Sequence, residues 1–453
     1  MTLLQFLRQA RQVHLQFLSG TLPEPPIYVL GNPSADLDSI ISAIVYSYCA
    51  SNRLPSTTPR PHIPLLNLPI PAGPELYRLR PEFVTTLWLS TNFPPLKPDE
   101  RFENSSESGK LLHEHIVTIA DFAQSLQENA TRPSKLIADA TLVDWNAMPH
   151  RADPQGHGSV TGLSEVTFRT VGCIDHHVDE HFVPANALPA NQPLIIQPGP
   201  GSCSSLITNE LVRRGLWADS AESAQLAKLA LAAILIDTSN LMAEGKVTDV
   251  DIRAVEFLRK QVARQDPKWD AEAFYNEINS AKKNSLDLLT LDEVLERDYK
   301  EWSEVSSSGE SVKLGFCSSV KPIRWIVEKA GAPQQFLDAV RAFAASKKLD
   351  VVVVMTSFTS EGKFSRELFV CAMCHCDAAV KAAEAFVEQA GSDLGFERWS
   401  VDCRDPDTTE RENEIRSTLD GDSDLWRRLW MQTNTTASRK QVAPLLRKAV
   451  ANL

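Results

Sequence analysis

The stretch CIDHHVDE, residues 173–180, sets two adjacent histidines, His176 and His177, between Asp175 and Asp179, directly after an apolar run. Upstream, EVTFRTVG (165–172) reads as a strand, so this dense group of imidazoles and carboxylates falls at a strand's C-terminal end. Such a group either ligates a cation or forms a solvated turn. The rest of the chain decides between the two.

Three more segments place acids at the ends of expected strands or helices. They are GNPSADLDS (31–39) with Asp36 and Asp38, LVDWN (142–146) with Asp144, and LIDTS (235–239) with Asp237. One aspartate in such a place is ordinarily a helix N-cap. Four segments in order point further, because the C-terminal ends of parallel strands share one edge of a sheet, where ligands bind. If the four converge, several carboxylates and two imidazoles meet in one cleft, and they do not all stay ionised without a cation. Carboxylates mixed with imidazole suit Mn²⁺, Mg²⁺, Co²⁺ or Zn²⁺ better than Ca²⁺. No cysteine stands among these candidates, which argues against a structural zinc.

Organisation along the chain agrees with an α/β protein. At 453 residues, two domains are expected. The first 20 residues read as an amphipathic helix. IYVL (27–30) reads as a buried strand, followed by a loop and a helix from Leu37. IPLLNLPI (63–70), ATLVDWN (140–146) and the segment before His176 add strands, and GSCSSLITNELVRRG (201–215) and SAQLAKLALAAILIDTSNL (223–241) add helices. Strands alternating with helices imply a parallel sheet with helices on both faces over residues 1–265. Residues 280–453 read as a smaller α/β domain closing over the active-site cleft, with strands at SVKLGFCSSV, LDVVVVMTSF and RELFVCAM. The connection over 262–285 is the expected hinge, and AEAFYNEINSAKKNSLDLLTLDEVLERDYKEW (271–302) reads as the helical start of the second half.

The formal net charge of −12 argues against nucleic-acid or membrane-surface binding. From Leu425 onward, however, there is no Asp or Glu, while Arg427, Arg428, Arg439, Lys440, Arg447 and Lys448 fall there, a candidate anion site. The N-terminus does not read as a secretion signal and no run has the length of a membrane span, so a cytoplasmic protein is expected. CAMCHC (371–376) has the spelling of haem attachment or zinc binding, but buried thiols are the better reading of it. The glycine-rich GPGSCSS (199–205) is a candidate phosphate contact through backbone amides ahead of a helix.

These segments resemble the DHH phosphoesterase superfamily, whose signature is present as Asp175, His176 and His177. GNPSADLDS resembles the family's first motif, with Asn32 where a metal-binding histidine often stands, a departure typical of the eukaryotic cytosolic exopolyphosphatase branch. Trp145 likewise replaces a histidine that members often carry. The resemblance implies a cofactor of two divalent metal ions. Asp38, Asp144, His176 and Asp237 would surround one, acting as the catalytic set. Asp36, Asp144 and Asp237, with Asn32, would surround the other. His177 would face the substrate. LERDYKEW (295–302) and SRKQVAPLL (438–446) resemble segments of the related manganese-dependent family II inorganic pyrophosphatases, and carry Lys300, Arg439 and Lys440 over as phosphate binders. The nuclease-type Gly-Gly-His motif is not found. The implied activity is an exopolyphosphatase releasing terminal orthophosphate from inorganic polyphosphate. The alternatives are an inorganic pyrophosphatase, a short-chain polyphosphatase with nucleotide phosphodiesterase activity, or a catalytically weak metal- and polyphosphate-binding protein. The expected partner is polyphosphate or pyrophosphate, with no nucleic acid, no membrane and a monomeric chain.

Overall fold

The structure, a computed structural model, describes residues 1–453 except 23, 52–59, 92–104, 129–134, 185–187, 190–191, 218–221, 288, 361, 374–375, 401–405 and 422–424. The chain forms two compact units, Met1–Ser285 and Leu286–Leu453.

The first unit holds a seven-stranded sheet. Its strands are β1 (Ile27–Leu30), β2 (His62–Leu65), β3 (Leu136–Val143), β4 (His150–Arg151), β5 (His157–Val160), β6 (Leu163–Asp175) and β7 (Leu194–Ile196), in the order β2-β1-β3-β6-β5-β4, with β7 also paired to β6. β2, β1, β3, β6 and β7 run parallel, and β5 and β4 are antiparallel additions. All four side chains of β1 are buried, and successive side chains point to opposite faces, so the sheet is covered on both sides here. Parallel strands covered in this way read as continuous apolar runs.

The helices that serve the site are α1 (Leu3–Ser19), α2 (Leu37–Ser51), α3 (Cys203–Arg213), α4 (Ser223–Asp237), α5 (Asp249–Gln265) and α6 (Ala271–Asn284). α1 is amphipathic, as its sequence implies. Leu3, Phe6, Leu7, Ala10, Phe17 and Leu18 are buried, Thr2 and Gln5 form a capping box, and Gly20 ends the helix at φ 77°. α4 is apolar on almost every face and correspondingly buried from Ser223 to Ile236, with Gln225 half-buried. The structure departs from the expected helical stretch 271–302 at both ends: from Tyr299 the chain is a strand, because it pairs antiparallel with Ser311–Cys317, and α6 lies elsewhere than expected. It belongs to the first unit rather than opening the second, because Phe274 and Ile278 enter the first unit's core.

The second unit has a six-stranded mixed sheet. Its strands are β8 (Tyr299–Val305), β9 (Ser311–Ser319), β10 (Val351–Thr356), β13 (Glu367–Met373), β14 (Phe396–Arg398) and β15 (Leu425–Gln432), in the order β14-β15-β13-β10-β9-β8, and a hairpin of β11 (Phe358–Ser360) and β12 (Lys363–Ser365) stands apart. Only β9 and β10 are parallel within it. The run VVVVM makes two cores at once. Val351, Val353 and Met355 pack with α9 (Asp377–Leu394) and α11 (Arg439–Ala451). Val352 and Val354 pack with α7 (Ile323–Ala330), α8 (Pro333–Lys347) and α10 (Pro406–Leu419). Helices therefore cover both faces of this sheet. Cys371 is buried inside β13, and Cys376 caps α9; Cys374 and His375 lie outside the described residues. Among the described residues, no helix is long and apolar enough to cross a membrane.

Candidate metal centre

In-register parallel pairing aligns the exits of three strands. Leu30 lies opposite Leu142, and Val143 opposite Ile174. The residues just beyond these ends, Asn32, Asp144 and Asp175–His177, therefore emerge at one edge of the sheet. Asp144 leaves β3 sharply, with φ 54°, while its backbone N–H donates to Ile174 at 3.0 Å. A left-handed backbone is costly for a residue other than glycine and is tolerated more readily by Asp and Asn. Asp139, the other acid of this segment, lies opposite Ile27, at the far end of β1. It is held by Arg60 and Arg169, each at 2.7 Å.

Asp144 Oδ1 lies 3.0 Å from His176 Nε2 and 3.6 Å from His177 Nδ1. The ligand atoms of Asp144, His176 and His177 all lie within 4.8 Å of one another. His176 Nδ1 is 2.9 Å from the carbonyl of Pro200, which can only accept, so this nitrogen carries the hydrogen. Nε2 then directs its lone pair at a carboxylate, and Asp38 Oδ2 lies 3.9 Å from the same nitrogen. Either a second proton on the ring or a cation must separate these atoms. Two ligands at right angles on an ion with bonds of about 2.1 Å stand about 3 Å apart, so the donor set fits a divalent metal.

Asp38 is held at the start of α3. It accepts from the backbone N–H of Cys203 at 2.6 Å and of Ser204 at 3.0 Å, and from Ser202 Oγ at 2.8 Å. The amides of GPGSCSS that the sequence offers to phosphate are thus directed at Asp38. The helix N-terminus does bind an anion, and the anion is a side chain of the protein. Burial nonetheless raises the Asp38 pKa to about 6, with Asp144 adding to the rise and His176 opposing it.

Asp36 is half-buried, and its Oδ1 accepts from Ser39 N–H at 3.0 Å, the N-cap geometry of α2. Asp237 lies at the end of a helix, α4. Its side chain is 25% exposed and 3.8 Å from Lys282 Nζ. Its pKa is raised to about 6, chiefly by burial; Lys282 opposes the rise, and the charges of Asp38 and Asp36 add to it. The structure therefore gathers Asp144, His176 and His177 tightly, sets Asp38 at their margin, and brings Asp36 and Asp237 within electrostatic reach of Asp38.

Ser39, Asn146 and Asp251 escape the sequence reading, whereas Asn32 and Asp175 are named in it. Asn32 donates from Nδ2 to Asp144 Oδ2 at 2.8 Å and accepts at Oδ1 from Ser34 N–H at 2.9 Å; Ser39 Oγ donates to the same Asp144 oxygen at 2.7 Å. Only one orientation of the Asn32 amide sets donors against acceptors in this way. Asp175 is fully buried and receives His176 N–H at 2.8 Å, His177 Nδ1 at 2.7 Å and the side chain of Asn146. Burial works to raise its pKa, but the His177 and His176 imidazoles and the Asn146 amide outweigh burial and hold it well below the usual carboxylate range. Asp251 fixes the loop ahead of α3 through Gly201 N–H at 3.0 Å and Ser205 Oγ at 2.7 Å. Partners this distant in sequence leave no local signature.

In the second unit, Arg439 is the first residue of α11. Its guanidinium donates to the Asp298 carbonyl at 2.7 Å and pairs with the Asp298 carboxylate at 2.6 Å. Lys300 lies two residues beyond Asp298 in β8, and Lys440 follows Arg439. The three basic residues taken from the sequence thus cluster around the start of β8 and the start of α11.

Residues 276–449 match the DHHA2 domain family. That match covers the C-terminal part of the chain. The full chain is 29% identical over 463 aligned residues to a Schizosaccharomyces pombe protein described as a "Putative exopolyphosphatase", covering 99% of this chain and 98% of the relative. Its fold is similar to that of a Methanococcus jannaschii protein described as a "putative family II inorganic pyrophosphatase", with a TM-score of 0.51 and 17% identity, over 93% of this chain and 98% of the other. The DHH signature and the Asp144–His176–His177 cluster therefore meet in the same two histidines, seen once from sequence and once from structure.

Proposed function

We propose that the protein is a metal-dependent exopolyphosphatase, a phosphoanhydride hydrolase that releases terminal orthophosphate from inorganic polyphosphate. The observation that carries the reading is the 3.0 Å approach of His176 Nε2 to Asp144 Oδ1, with the other ring nitrogen committed to the Pro200 carbonyl. That arrangement suits a cation, and the full-length likeness to a protein described as a "Putative exopolyphosphatase" supports the substrate class.

Asp144, His176 and Asp38 would hold one divalent ion, Mn²⁺ or Mg²⁺, and Asp36 and Asp237 would contribute to a second. When bound, such ions supply activation of water and neutralisation of phosphate charge. The residues of the chain do the rest. The amides of Cys203 and Ser204 keep Asp38 in place. Asp175 fixes His177 by its Nδ1, leaving Nε2 to donate to a phosphoryl oxygen when the ring is protonated. Arg439, held by Asp298, together with Lys300 and Lys440, binds phosphate oxygens, the guanidinium as a fork and the ammonium groups as mobile point charges. Cations near the leaving phosphate stabilise the charge that develops there.

The test is orthophosphate release from long-chain polyphosphate, tripolyphosphate and pyrophosphate, each with Mn²⁺ and with Mg²⁺. Faster release from the chains than from pyrophosphate is expected. A rate on pyrophosphate far above the others would replace this reading with a pyrophosphatase. Metal binding without any hydrolysis would replace it with a binding protein.

A further inference from the structure

Arg366 stands between β12 and β13 and is 7% exposed. Its Nε donates to the Thr435 carbonyl at 2.7 Å, and its guanidinium carbon lies 5.1 Å from the centre of the Phe364 ring. Among the described residues, no carboxylate pairs with it. An arginine keeps its charge at any physiological pH; one carbonyl hydrogen bond and one aromatic face offset part of the cost of burying it, and an anion would offset the rest. Burial alone pulls its pKa down to about 10, with no acid nearby to oppose the fall.

Its position gives the anion a context. Backbone hydrogen bonds run along one edge of the second unit's sheet: Ser318 N–H to Asp298, Ser357 N–H to Ser319, and Gln432 N–H to Arg366. Asp298 is the residue that holds Arg439. Arg366 and the Lys300–Arg439–Lys440 cluster therefore lie on the same edge, and the loop from Thr433 to Ser438 joins them. β13 and β8 are three strand spacings apart, about 14 Å at roughly 4.8 Å each. A pyrophosphate does not bridge that span, whereas a chain of several phosphoryl groups does.

We propose that Arg366, with the Thr433–Ser438 loop, forms a second phosphate subsite that takes a phosphoryl group further along a polyphosphate chain than those gripped by Lys300, Arg439 and Lys440. The subsite rests on the polyphosphate reading above and adds chain-length selection to it.

The test uses the full chain in EDTA, so that nothing is hydrolysed, with long-chain polyphosphate and pyrophosphate as probes in calorimetric titration. Arg366→Gln keeps a donor for Thr435 and removes the charge. The ratio of polyphosphate to pyrophosphate affinity is expected to fall about tenfold or more in this variant, the scale of a lost charge-assisted contact. Arg366→Lys is expected to restore part of it. Thermal unfolding separates a binding role from a structural one. Without probe, Arg366→Gln should be no less stable than the wild type, since an unpaired buried charge is gone, and long-chain polyphosphate should raise the Tm of the wild type more than that of the variant. An affinity ratio unchanged within about twofold, or an equal Tm increase in both proteins, would overturn the subsite. Failure of the hydrolase reading would look different: intact binding and an intact Arg366 effect, with no phosphate released once Mn²⁺ or Mg²⁺ is added.

Discussion

Asn32 and Asp144, 112 residues apart in the chain, are joined by a 2.8 Å hydrogen bond from the Asn32 amide to Asp144 Oδ2. Asn32 thereby orients the central carboxylate of the cluster. Asn32→Ala is expected to leave the fold intact and lower metal affinity or activity about 10- to 100-fold, the usual effect of removing a partner that orients a ligand. Titration of the variant with Mn²⁺, followed by activity at saturating metal, checks this. Unchanged metal affinity would mean that Ser39 alone holds Asp144.

Asp175 makes a different prediction, because it orients both histidines. Asp175→Asn keeps the shape but replaces an acceptor with an amide facing the His177 ring and two N–H groups. Activity should fall by about two orders of magnitude or more, on the scale of substitutions behind metal-ligating histidines. The variant should also be less stable by about 1–3 kcal/mol, since buried donors lose their acceptor. Chemical denaturation beside a metal titration measures both.

Asp38 sets a pH dependence in the metal-free protein. Its pKa is about 6 in the folded chain, against 3.8 for the same group in open solvent. A raised carboxylate pKa means that the folded form takes up the proton more readily. The associated stability is fully present below about pH 4 and is lost as the pH rises through about 6. A pKa difference of about 2 makes the full effect about 3 kcal/mol. In EDTA the wild type should therefore gain stability relative to Asp38→Asn as the pH falls from about 7 to about 4. With Mn²⁺ present the trend should reverse, because protons then compete with the ion. Denaturation at several pH values, with and without metal, reads the sign directly.

Gly201 carries a packing prediction. A Cβ there would fall 2.6 Å from Thr238 Cγ2 and 2.9 Å from the Lys246 carbonyl. Gly201→Ala should cost about 1–3 kcal/mol. Because Thr238 adjoins Asp237 and Gly201 precedes the amides that hold Asp38, metal affinity should fall with stability. Intact metal binding in a destabilised variant would separate loop packing from the site.

Lys440→Ala, in the second unit, should raise the substrate concentration needed for half-maximal rate while metal content stays at the wild-type level. Metal analysis of the purified variant beside its kinetics checks the division of roles. Loss of metal would contradict it.

The central buried strands and several helices are legible in the sequence because burial on both faces writes continuous apolar runs such as IYVL and VVVVM, and because α4 is apolar on almost every face; the helices Pro74–Leu79, Pro81–Thr91, Ser105–His115 and Ile119–Glu128 are not singled out by such a run. Asp144 and the two histidines are legible for the same reason, since they follow such runs directly. Ser39, Asn146 and Asp251 are not, because their roles depend on partners 105, 29 and 50 residues away in sequence. The glycine-rich loop is readable as an anion-binding helix start, but its anion is not: nothing local says that Asp38, 165 residues earlier, occupies the amide of Cys203. α6 is legible as a helix but not as part of the first unit, because an amphipathic helix shows that it has an apolar stripe without showing which core receives it.

The grip of α3 on Asp38 bears on how the protein would take up the divalent ions proposed for it. Since the polypeptide's own amides fasten this carboxylate, the cage is standing before any cation arrives, and little ordering remains to be done on entry.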